Sequence, residues 1–149
     1  MKVKNLMTRD VATCRANESL AAAVGVMWER DCGAVPVISN GVVAGMLTDR
    51  DVSIACTSRN KRASEILASE VISGSVCSVR PGVPVVEALA VMRKYGIRRL
   101  PVTGKKGEIK GIISIADVIL ASSKDKKLQK EVFRVICRLA EPHETSKES

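Results

Sequence analysis

The stretch Gly45-Met-Leu-Thr48-Asp-Arg-Asp51-Val52 decides the fold, because the chain contains it a second time as Gly111-Ile-Ile-Ser114-Ile-Ala-Asp117-Val118. Each copy follows a β-rich run and opens a segment with apolar residues at helical spacing. In each copy a hydroxyl residue precedes a carboxylate by three positions, which is the pattern of a helix capping box. Capping explains either copy taken alone. The repeat of the surrounding sequence indicates a further role.

The repeat extends well beyond this stretch. Pro36 aligns with Pro101 at an offset of 65 residues (101 − 36), and Asp51 aligns with Asp117 at an offset of 66 (117 − 51). One additional residue in the second hairpin loop accounts for the change of offset. A repeat of this length with one small insertion indicates duplication of a whole supersecondary unit.

Within the first copy, the patterns predict a lead-in segment followed by the order β-α-β-β-α. We expect Asn17 to cap the first helix, and Asn40-Gly41 is a strong signal for a two-residue hairpin turn. Apolar residues at helical spacing predict the buried face of that helix: Leu20, Val24, Met27 and Trp28. The predicted elements are a lead-in at 3–7, a strand at 11–15, a helix at 18–30, strands at 32–38 and 42–47, and a helix at 48–56.

The second copy follows the same plan after a basic linker at 58–62. Pro84 lies in the first turn of its first helix and Gly96 ends that helix. The predicted elements are a lead-in at 63–67, a strand at 76–79, a helix at 84–94, strands at 99–103 and 109–113, and a helix at 114–123. Beyond them the spacing predicts an amphipathic helix at 126–139 and a polar tail.

We therefore predict an α+β fold with units at 1–60 and 61–124 and a helical C-terminal segment at 125–149. A chain of about 60 residues buries only about 60% of its unfolded surface and is marginally stable alone. We expect the two units to pack sheet to sheet, with pseudo-twofold symmetry, and the C-terminal helix to pack on them or across a dimer.

Composition narrows the class of protein. Of the 149 residues 46% are hydrophobic, yet Trp28, Tyr95 and Phe133 are the only aromatic ones, so the core is aliphatic. No signal or membrane span is evident, which predicts a cytoplasmic protein. The net charge of +8 favours an anionic partner, such as a phosphate ligand, nucleic acid or an acidic protein. The five cysteines show no metal-ligand spacing; we interpret them as small core residues, with a disulfide as an alternative.

Catalysis has little support in the sequence. The only histidine, His143, lies in the polar tail, and there is no Gly-rich Walker loop. Asp49 and Asp51 stand two positions apart at a helix start, where their side chains diverge. We expect no enzymatic activity and no metal site.

In these repeated motifs the chain resembles a known family, the cystathionine-β-synthase (CBS) domain pair, also called the Bateman module. The matching segments are GAVPVI at 33–38, VAGMLTDRDV at 43–52, IRRLPV at 97–102 and IKGIISIADV at 109–118. The resemblance covers roughly residues 3–123. It implies two clefts that bind adenosine ligands such as AMP, ADP, ATP or S-adenosylmethionine. It also implies a regulatory role, an unknown regulated partner protein and pairing of two modules into a disc-like homodimer.

The resemblance assigns roles to the two repeated stretches. Asp51 and Asp117 match the family's ribose-binding position, and Thr48 and Ser114 match its hydroxyl position beside the sugar or α-phosphate. A carboxylate accepts hydrogen bonds from both ribose hydroxyls, and a helix N-terminus favours an anion. Capping and ligand binding are compatible at these residues.

Phosphate contacts are expected to differ between the clefts. Arg98 and Arg99 stand where the family often places basic residues, whereas the first unit has Gly33 and Ala34 there. We therefore expect the Asp117 cleft to be the better nucleotide site. Arg50 either serves the other cleft or faces water.

For the adenine, the resemblance points to residues contributed by the opposite unit. The candidates for the Asp117 cleft are Thr8, Thr13, Cys32 and Ala34, and those for the Asp51 cleft are Ile72, Val76 and Ile97. Gly33 is a further adenine candidate, without an assigned cleft. Two other interpretations remain. The basic surface predicts nucleic-acid binding, against which stands the 2% aromatic content. The module can also be a dimerisation scaffold without a ligand.

Overall fold

The structure is a computed structural model, and it describes residues 1–72 and 75–142. The elements, in chain order, are α1 (Val3–Leu6), β1 (Cys14–Arg15), α2 (Leu20–Arg30), β2 (Ala34–Ser39), β3 (Val42–Thr48), α3 (Asp49–Arg59), two 3₁₀ turns (Ala63–Glu65 and Ala68–Glu70), α4 (Val85–Tyr95), β4 (Arg99–Thr103), β5 (Ile109–Ser114), α5 (Ile115–Ala121) and α6 (Lys126–Ala140). The predicted α+β fold is confirmed, and so is the order β-α-β-β-α in the first unit. The tail that carries His143 lies outside the described residues.

Each unit is built on a hairpin. In the first unit β2 pairs antiparallel with β3 and parallel with β1. Asn40 and Gly41 both have positive φ, at 51° and 77°, as the turn between twisted strands requires. In the second unit β4 pairs with β5, and the strand predicted at 76–79 is reduced to a single parallel bridge between Val79 and Val102.

The two hydrophobic cores exchange their lead-in segments. Val3 and Met7, from the start of the chain, are buried in the core of the second unit. Ile66 and Ala68, from the second lead-in, are buried in the core of the first. Backbone hydrogen bonds secure the exchange, since Val3 N donates to Val83 O and Leu20 N donates to Ile66 O. The cores therefore do not follow chain order, and the division at residue 60 stays a prediction about the sequence repeat.

Close backbone contacts join the first lead-in segment to the sheet of the second unit. Thr8 N donates to Ile112 O at 2.8 Å, and Ile112 N donates back to Thr8 O at 2.9 Å. Gly111 makes this approach possible, because a Cβ there would lie 2.8 Å from both Met7 Sδ and Thr8 O. In the first unit the corresponding Gly45 faces Ile72, whose Cβ would lie 3.0 Å from an added Cβ.

Several local predictions need correction. Ser19, not Asn17, caps α2, with its hydroxyl accepting from Ala22 N. Trp28 is 86% exposed and Val24 is 39% exposed, so the buried face of α2 is narrower than predicted and is formed by Leu20, Ala23 and Met27. The described residues leave the side of α2 that carries Trp28 open to solvent.

The C-terminal helix and the cysteines complete the structure. Helix α6 buries Leu128, Val132 and Val135 against the core of the second unit, which confirms its predicted amphipathic character. Ile136 of the same helix is 42% exposed and lies at the edge of this contact. All five cysteines are free; Cys14 is buried and Cys137 is exposed, so the interpretation as core residues fails for Cys137.

Candidate functional site

The capping interpretation of the repeated stretch is confirmed at both helix starts. At α3, Thr48 N donates to Asp51 Oδ2 at 2.9 Å and Asp51 N donates to Thr48 Oγ1 at 3.1 Å. At α5, Ser114 N donates to Asp117 Oδ2 at 2.8 Å and Asp117 N donates to Ser114 Oγ at 3.3 Å. In each box Oδ2 accepts the capping bond. Among the described residues nothing donates to Oδ1 of either half-buried carboxylate, so that oxygen is available to another donor.

Strand pairing brings a second group to each helix start. Ala34 is the cross-strand partner of Thr48, and Arg99 is the cross-strand partner of Ser114. Directly opposed residues of an antiparallel pair project from the same face of the sheet. Arg99 and Ser114 therefore share a face, opposite to that of the buried Leu100. In the first unit a buried methyl group occupies the place of this guanidinium.

Arg99 is held in an unfavourable electrostatic environment. Partial burial lowers the pKa of the Arg99 guanidinium, and the neighbouring Arg98 lowers it further; Asp49 and Cys32 act in the opposite direction. Within residues 1–72 and 75–142, no carboxylate oxygen comes within ion-pair distance of Arg99. A half-buried cation without a close counter-ion is a favourable place for an anion.

The other two predicted phosphate ligands are exposed. Arg98 lies at the start of the second hairpin, where its carbonyl accepts from Ile115 N at 2.9 Å. Arg50 lies in the first turn of α3, and its backbone N donates to Asp49 Oδ1 at 2.8 Å. Both side chains project into solvent, and neither position carries the burial that distinguishes Arg99.

The predicted adenine residues fall into two groups. Thr8 lies against β5, two residues before Ser114, and Ile72 lies against Gly45 of β3, so each contacts the strand of the opposite unit. The remaining candidates lie at or near the first residues of the strands, half-buried or, for Ala34, buried: Thr13, Cys32, Gly33, Ala34, Val76 and Ile97.

Asp49 is a charged neighbour of the site to which the repeated motif assigns no role. Its Oδ2 lies 3.2 Å from the position that a Cβ on Gly33 would take, and it influences Arg99 from across the unit boundary. The aligned residue of the second unit is Ile115, which is buried. A comparison of the two copies at this position reveals the difference, since one has a carboxylate where the other has an aliphatic side chain.

Two matches to the same family model decide the family. The CBS domain model matches residues 3–57 and again residues 63–124. The chain belongs to the CBS-domain family. Among curated relatives, the CBS domain-containing protein YhcV of Bacillus subtilis is 35% identical over 116 residues, which is 78% of this CBS pair and 81% of YhcV. The CBS pair also matches 23% of the length of homoserine O-acetyltransferase from Methanococcoides burtonii, at 32% identity.

Solved structures of CBS-domain proteins have the same fold as this chain. The CBS-domain containing protein ATU1752 from Agrobacterium tumefaciens superimposes with a TM-score of 0.71 and 30% identity, covering 81% of this CBS pair and 98% of that chain. Two more distant neighbours show the same fold. One is CBSX2 in complex with AMP, at 22% identity, a TM-score of 0.70 and coverage of 81% and 95%. The other is the CBS pair of protein MJ0100 in complex with 5′-methylthioadenosine and S-adenosyl-L-methionine. It has 21% identity and a TM-score of 0.74, and the match covers 85% of this CBS pair and 98% of that chain.

In the part of the chain that the structure describes, no helix has the length and apolar composition needed to cross a lipid bilayer. This finding concerns the helices alone.

Proposed function

We propose that this CBS pair is a regulatory module that binds an adenosine nucleotide in the cleft of its second unit. AMP is the nucleotide we favour. One observation carries the proposal. At the start of α5, Asp117 has an available carboxylate oxygen on the same helix end as Ser114, whose cross-strand partner is the half-buried Arg99. The AMP complex of CBSX2 supports the class of ligand.

The ribose is assigned to Asp117. Its Oδ2 is engaged by the cap, which fixes the orientation of the carboxylate before a ligand arrives. Its Oδ1 then accepts from the two vicinal hydroxyls of the sugar, in a charge-assisted hydrogen bond of about 1.5–3 kcal/mol. A carboxylate that the fold already orients loses little conformational entropy on binding.

The phosphate is assigned to Arg99. A guanidinium offers two parallel N–H donors that match two phosphate oxygens. The lowered pKa of Arg99, caused first by burial and then by Arg98, means that its protein surroundings destabilise this cation. A bound phosphate relieves that cost, and the more exposed Arg98 adds long-range attraction.

The adenine is assigned to the seam between the units. Thr8, which hydrogen-bonds to β5, is the candidate with the shortest connection to Ser114, since both lie on or against the same strand. The other proposed lining residues of this cleft, Thr13, Cys32, Gly33 and Ala34, also come from the first unit. A ligand held in this way contacts both units at once.

The first-unit cleft is proposed to be the weaker nucleotide site. Thr48 and Asp51 offer the same ribose contact, with Ile72, Val76 and Ile97 as proposed lining residues. It has Ala34 where the second cleft has Arg99, and the carboxylate of Asp49 lies beside Gly33. An anion is disfavoured there; a ligand without a phosphate, such as S-adenosylmethionine, avoids this repulsion.

Regulation follows from contact with both units. A ligand shifts an equilibrium only by its differential affinity for two states. A nucleotide that joins Thr8 of one lead-in to Asp117 of the other unit stabilises the joined arrangement over any opened one. A regulated partner protein, and a second copy of the chain, are the proposed readers of that difference.

The experiment is calorimetric titration of the chain with AMP, ADP, ATP, S-adenosylmethionine and adenosine, and of Asp117→Asn with the same ligands. We expect AMP to bind more tightly than adenosine and Asp117→Asn to lose affinity for both. Equal binding of AMP by the variant and the wild type contradicts the site. Random oligonucleotides at increasing salt form the control arm: tight binding with a steep salt dependence and no response to AMP indicates the nucleic-acid alternative.

A further inference from the structure

A cavity lies in the second unit between the start of α4 and the first half of α6. Its volume is about 540 Å³, within the range of about 300–1,000 Å³ that is typical of ligand pockets. Pro84, Val85 and Val86 line it from α4, Leu128 lines it from α6, and Met1 closes a third side. None of the residues assigned to either nucleotide cleft lines this cavity.

The cavity lies at the beginning of a groove between two helices that run in the same direction. The starts of α4 and α6 meet at the cavity. Their ends meet where a Cβ added to Gly96, the C-cap of α4, would lie 3.2 Å from Nη1 of Arg138. Leu128 is buried at the floor of the cavity, whereas Val86 is 50% exposed. An apolar group that covers Val86 therefore gains free energy from burial.

The rim of the cavity is basic. Lys127, Lys130 and Arg134 line it at positions i, i+3 and i+7, so the three cations share one face of α6 over about 10 Å. Both carboxylates of the rim are engaged within α6, since Asp125 caps the helix and Glu131 pairs with Arg134 at 2.8 Å. Within residues 1–72 and 75–142, neither lysine has a carboxylate oxygen within ion-pair distance.

An occupant that matches this cavity combines apolar and acidic groups. Its apolar side chains cover Val86, and its carboxylates pair with Lys127 and Lys130. An amphipathic helix with acidic residues at i, i+3 or i+4, and i+7 repeats the spacing of the cations on α6, and helix-in-groove recognition uses this spacing. None of the described residues that line the cavity is aromatic, so it offers no platform on which a nucleic-acid base stacks. These observations favour a protein partner.

The first lead-in segment connects this cavity to the Asp117 cleft. Met1 lines the cavity, and its carbonyl oxygen accepts from Val85 N at 3.0 Å. Seven residues later (8 − 1), Thr8 forms two backbone hydrogen bonds with Ile112 of β5. The short helix α1 joins the two points. A partner in the cavity therefore contacts the same segment that carries the proposed adenine contact.

We propose that the regulated partner docks in this cavity through an acidic amphipathic helix, with apolar side chains against Val86 and Leu128 and carboxylates on Lys127 and Lys130. The inference rests on the proposed function, which calls for a partner, and it specifies that partner's chemistry and the surface it uses. Nucleotide and partner then contact one continuous segment of the chain. Any effect of the nucleotide on partner affinity is matched by an equal effect of the partner on nucleotide affinity.

Three synthetic peptides of about 15 residues, long enough to form a helix on binding, test the chemistry. The first has Leu at i, i+3, i+4 and i+7 and Glu at the flanking positions; the second replaces every Glu by Gln, and the third replaces every Leu by Ala. Anisotropy of a fluorescent label on each peptide measures its binding to the full chain. We expect the first to bind with a Kd of about 10 to 100 µM, and the others at least about tenfold more weakly. A chain that binds none of them, or binds either substituted peptide as tightly as the first, overturns the proposal.

Two double charge reversals give the matched comparison. Lys127→Glu with Lys130→Glu alters the rim of the cavity, and Lys105→Glu with Lys106→Glu makes the same change of net charge in the loop of the second hairpin. All four side chains are exposed, so we expect the melting temperatures to be unchanged. We expect the first pair to weaken binding of the Leu/Glu peptide by at least about tenfold and the second by less than about threefold. Equal losses would assign binding to net charge and overturn the proposal.

A random oligonucleotide tests the other class of anionic partner. We expect it to leave the bound Leu/Glu peptide in place at about 0.15 M salt, because the cavity lacks stacking groups. Displacement of the peptide from the wild-type chain, together with loss of oligonucleotide binding in the Lys127→Glu, Lys130→Glu variant, would identify nucleic acid as the occupant and overturn the proposal.

Titration of the Lys127→Glu, Lys130→Glu variant with AMP separates this inference from the proposed function. We expect an affinity within about twofold of the wild type at about 0.15 M salt, because both lysines lie outside the Asp117 cleft and distant charges are screened. Peptide binding by a chain that does not bind AMP contradicts the proposed function and leaves the docking cavity intact. AMP binding by a chain that does not bind the Leu/Glu peptide contradicts the docking cavity alone.

Discussion

The α3 and α5 helix starts of the two units have the same capping hydrogen bonds, but the side chains around them differ in charge. Both have a capping box, with the hydroxyl and the carboxylate three residues apart. Around the first box stand a buried methyl group and the exposed carboxylate of Asp49; around the second stand Arg99 and the buried Ile115. The comparison teaches that the duplicated fold retains the groups that fix the backbone, while the neighbouring charge decides which cleft attracts an anion.

The largest effect is expected from the ribose carboxylate of the second unit. Asp117→Asn keeps an oxygen that accepts from Ser114 N but removes the charge, so the cap persists and the charge-assisted bonds to the sugar weaken. We expect AMP affinity to fall by about 10- to 100-fold, from a loss of about 1.5–3 kcal/mol. Calorimetric titration measures it. Asp51→Asn is the matched control, with a change below about threefold; the reverse order of the two variants would reverse the assignment of the clefts.

The next effect concerns the phosphate. Arg99→Gln removes the half-buried guanidinium and leaves a neutral amide donor on a shorter side chain. We expect a loss of about tenfold in AMP affinity, consistent with one charged hydrogen-bonding group, and no change in adenosine affinity. The ratio of the two affinities is the measurement. Arg50→Gln, on the exposed first turn of α3, is the control, and an equal loss in both variants points to general electrostatic attraction.

The contacts between each lead-in segment and the strand it packs on are expected to differ in a similar way. Gly111→Ala places a methyl group 2.8 Å from the backbone oxygen of Thr8. The backbone of Thr8 cannot move away easily, because its N–H and its carbonyl oxygen are both hydrogen-bonded to Ile112. We expect a loss of about 1–3 kcal/mol in the free energy of unfolding, measured with urea. Gly45→Ala meets the side chain of Ile72 and should cost less. Equal losses would show that both lead-in segments are held equally firmly.

The smallest effect is expected from Asp49. Asp49→Asn removes a negative charge that influences Arg99 from the opposite unit. We expect AMP affinity to rise by about two- to fourfold at low salt, in keeping with the energy of an exposed charge pair, and the gain to vanish at high salt. Titrations at two salt concentrations test it. Glu87→Gln removes the same charge from α4 and should have no effect; a gain there would attribute the change to net charge.

Much of the fold could be predicted because local signals and the repeat agreed. Asn40-Gly41 predicted the first hairpin turn, and the Thr48 and Ser114 boxes predicted the starts of two helices, since these patterns determine local backbone geometry. The exchange of lead-in segments was not predicted. Burial of Val3 in the second unit depends on contacts between distant parts of the chain, which periodicity does not report.

The site was predictable in part for the same reason. The repeat aligned Asp51 with Asp117 and revealed the two arginines of the second unit. It did not show that Arg99 is half-buried and Arg98 exposed, because that depends on which face of β4 turns towards the first unit. Trp28 was assigned to a buried face because helical spacing does not show whether another element covers that side of the helix.

A crystal structure of the chain grown with AMP tests the central claim most directly. The account predicts AMP in the second-unit cleft, with the ribose hydroxyls on Asp117, the phosphate on Arg99 and Thr8 beside the adenine. AMP bound only beside Thr48 and Asp51, or bound with its phosphate away from Arg99, would contradict it.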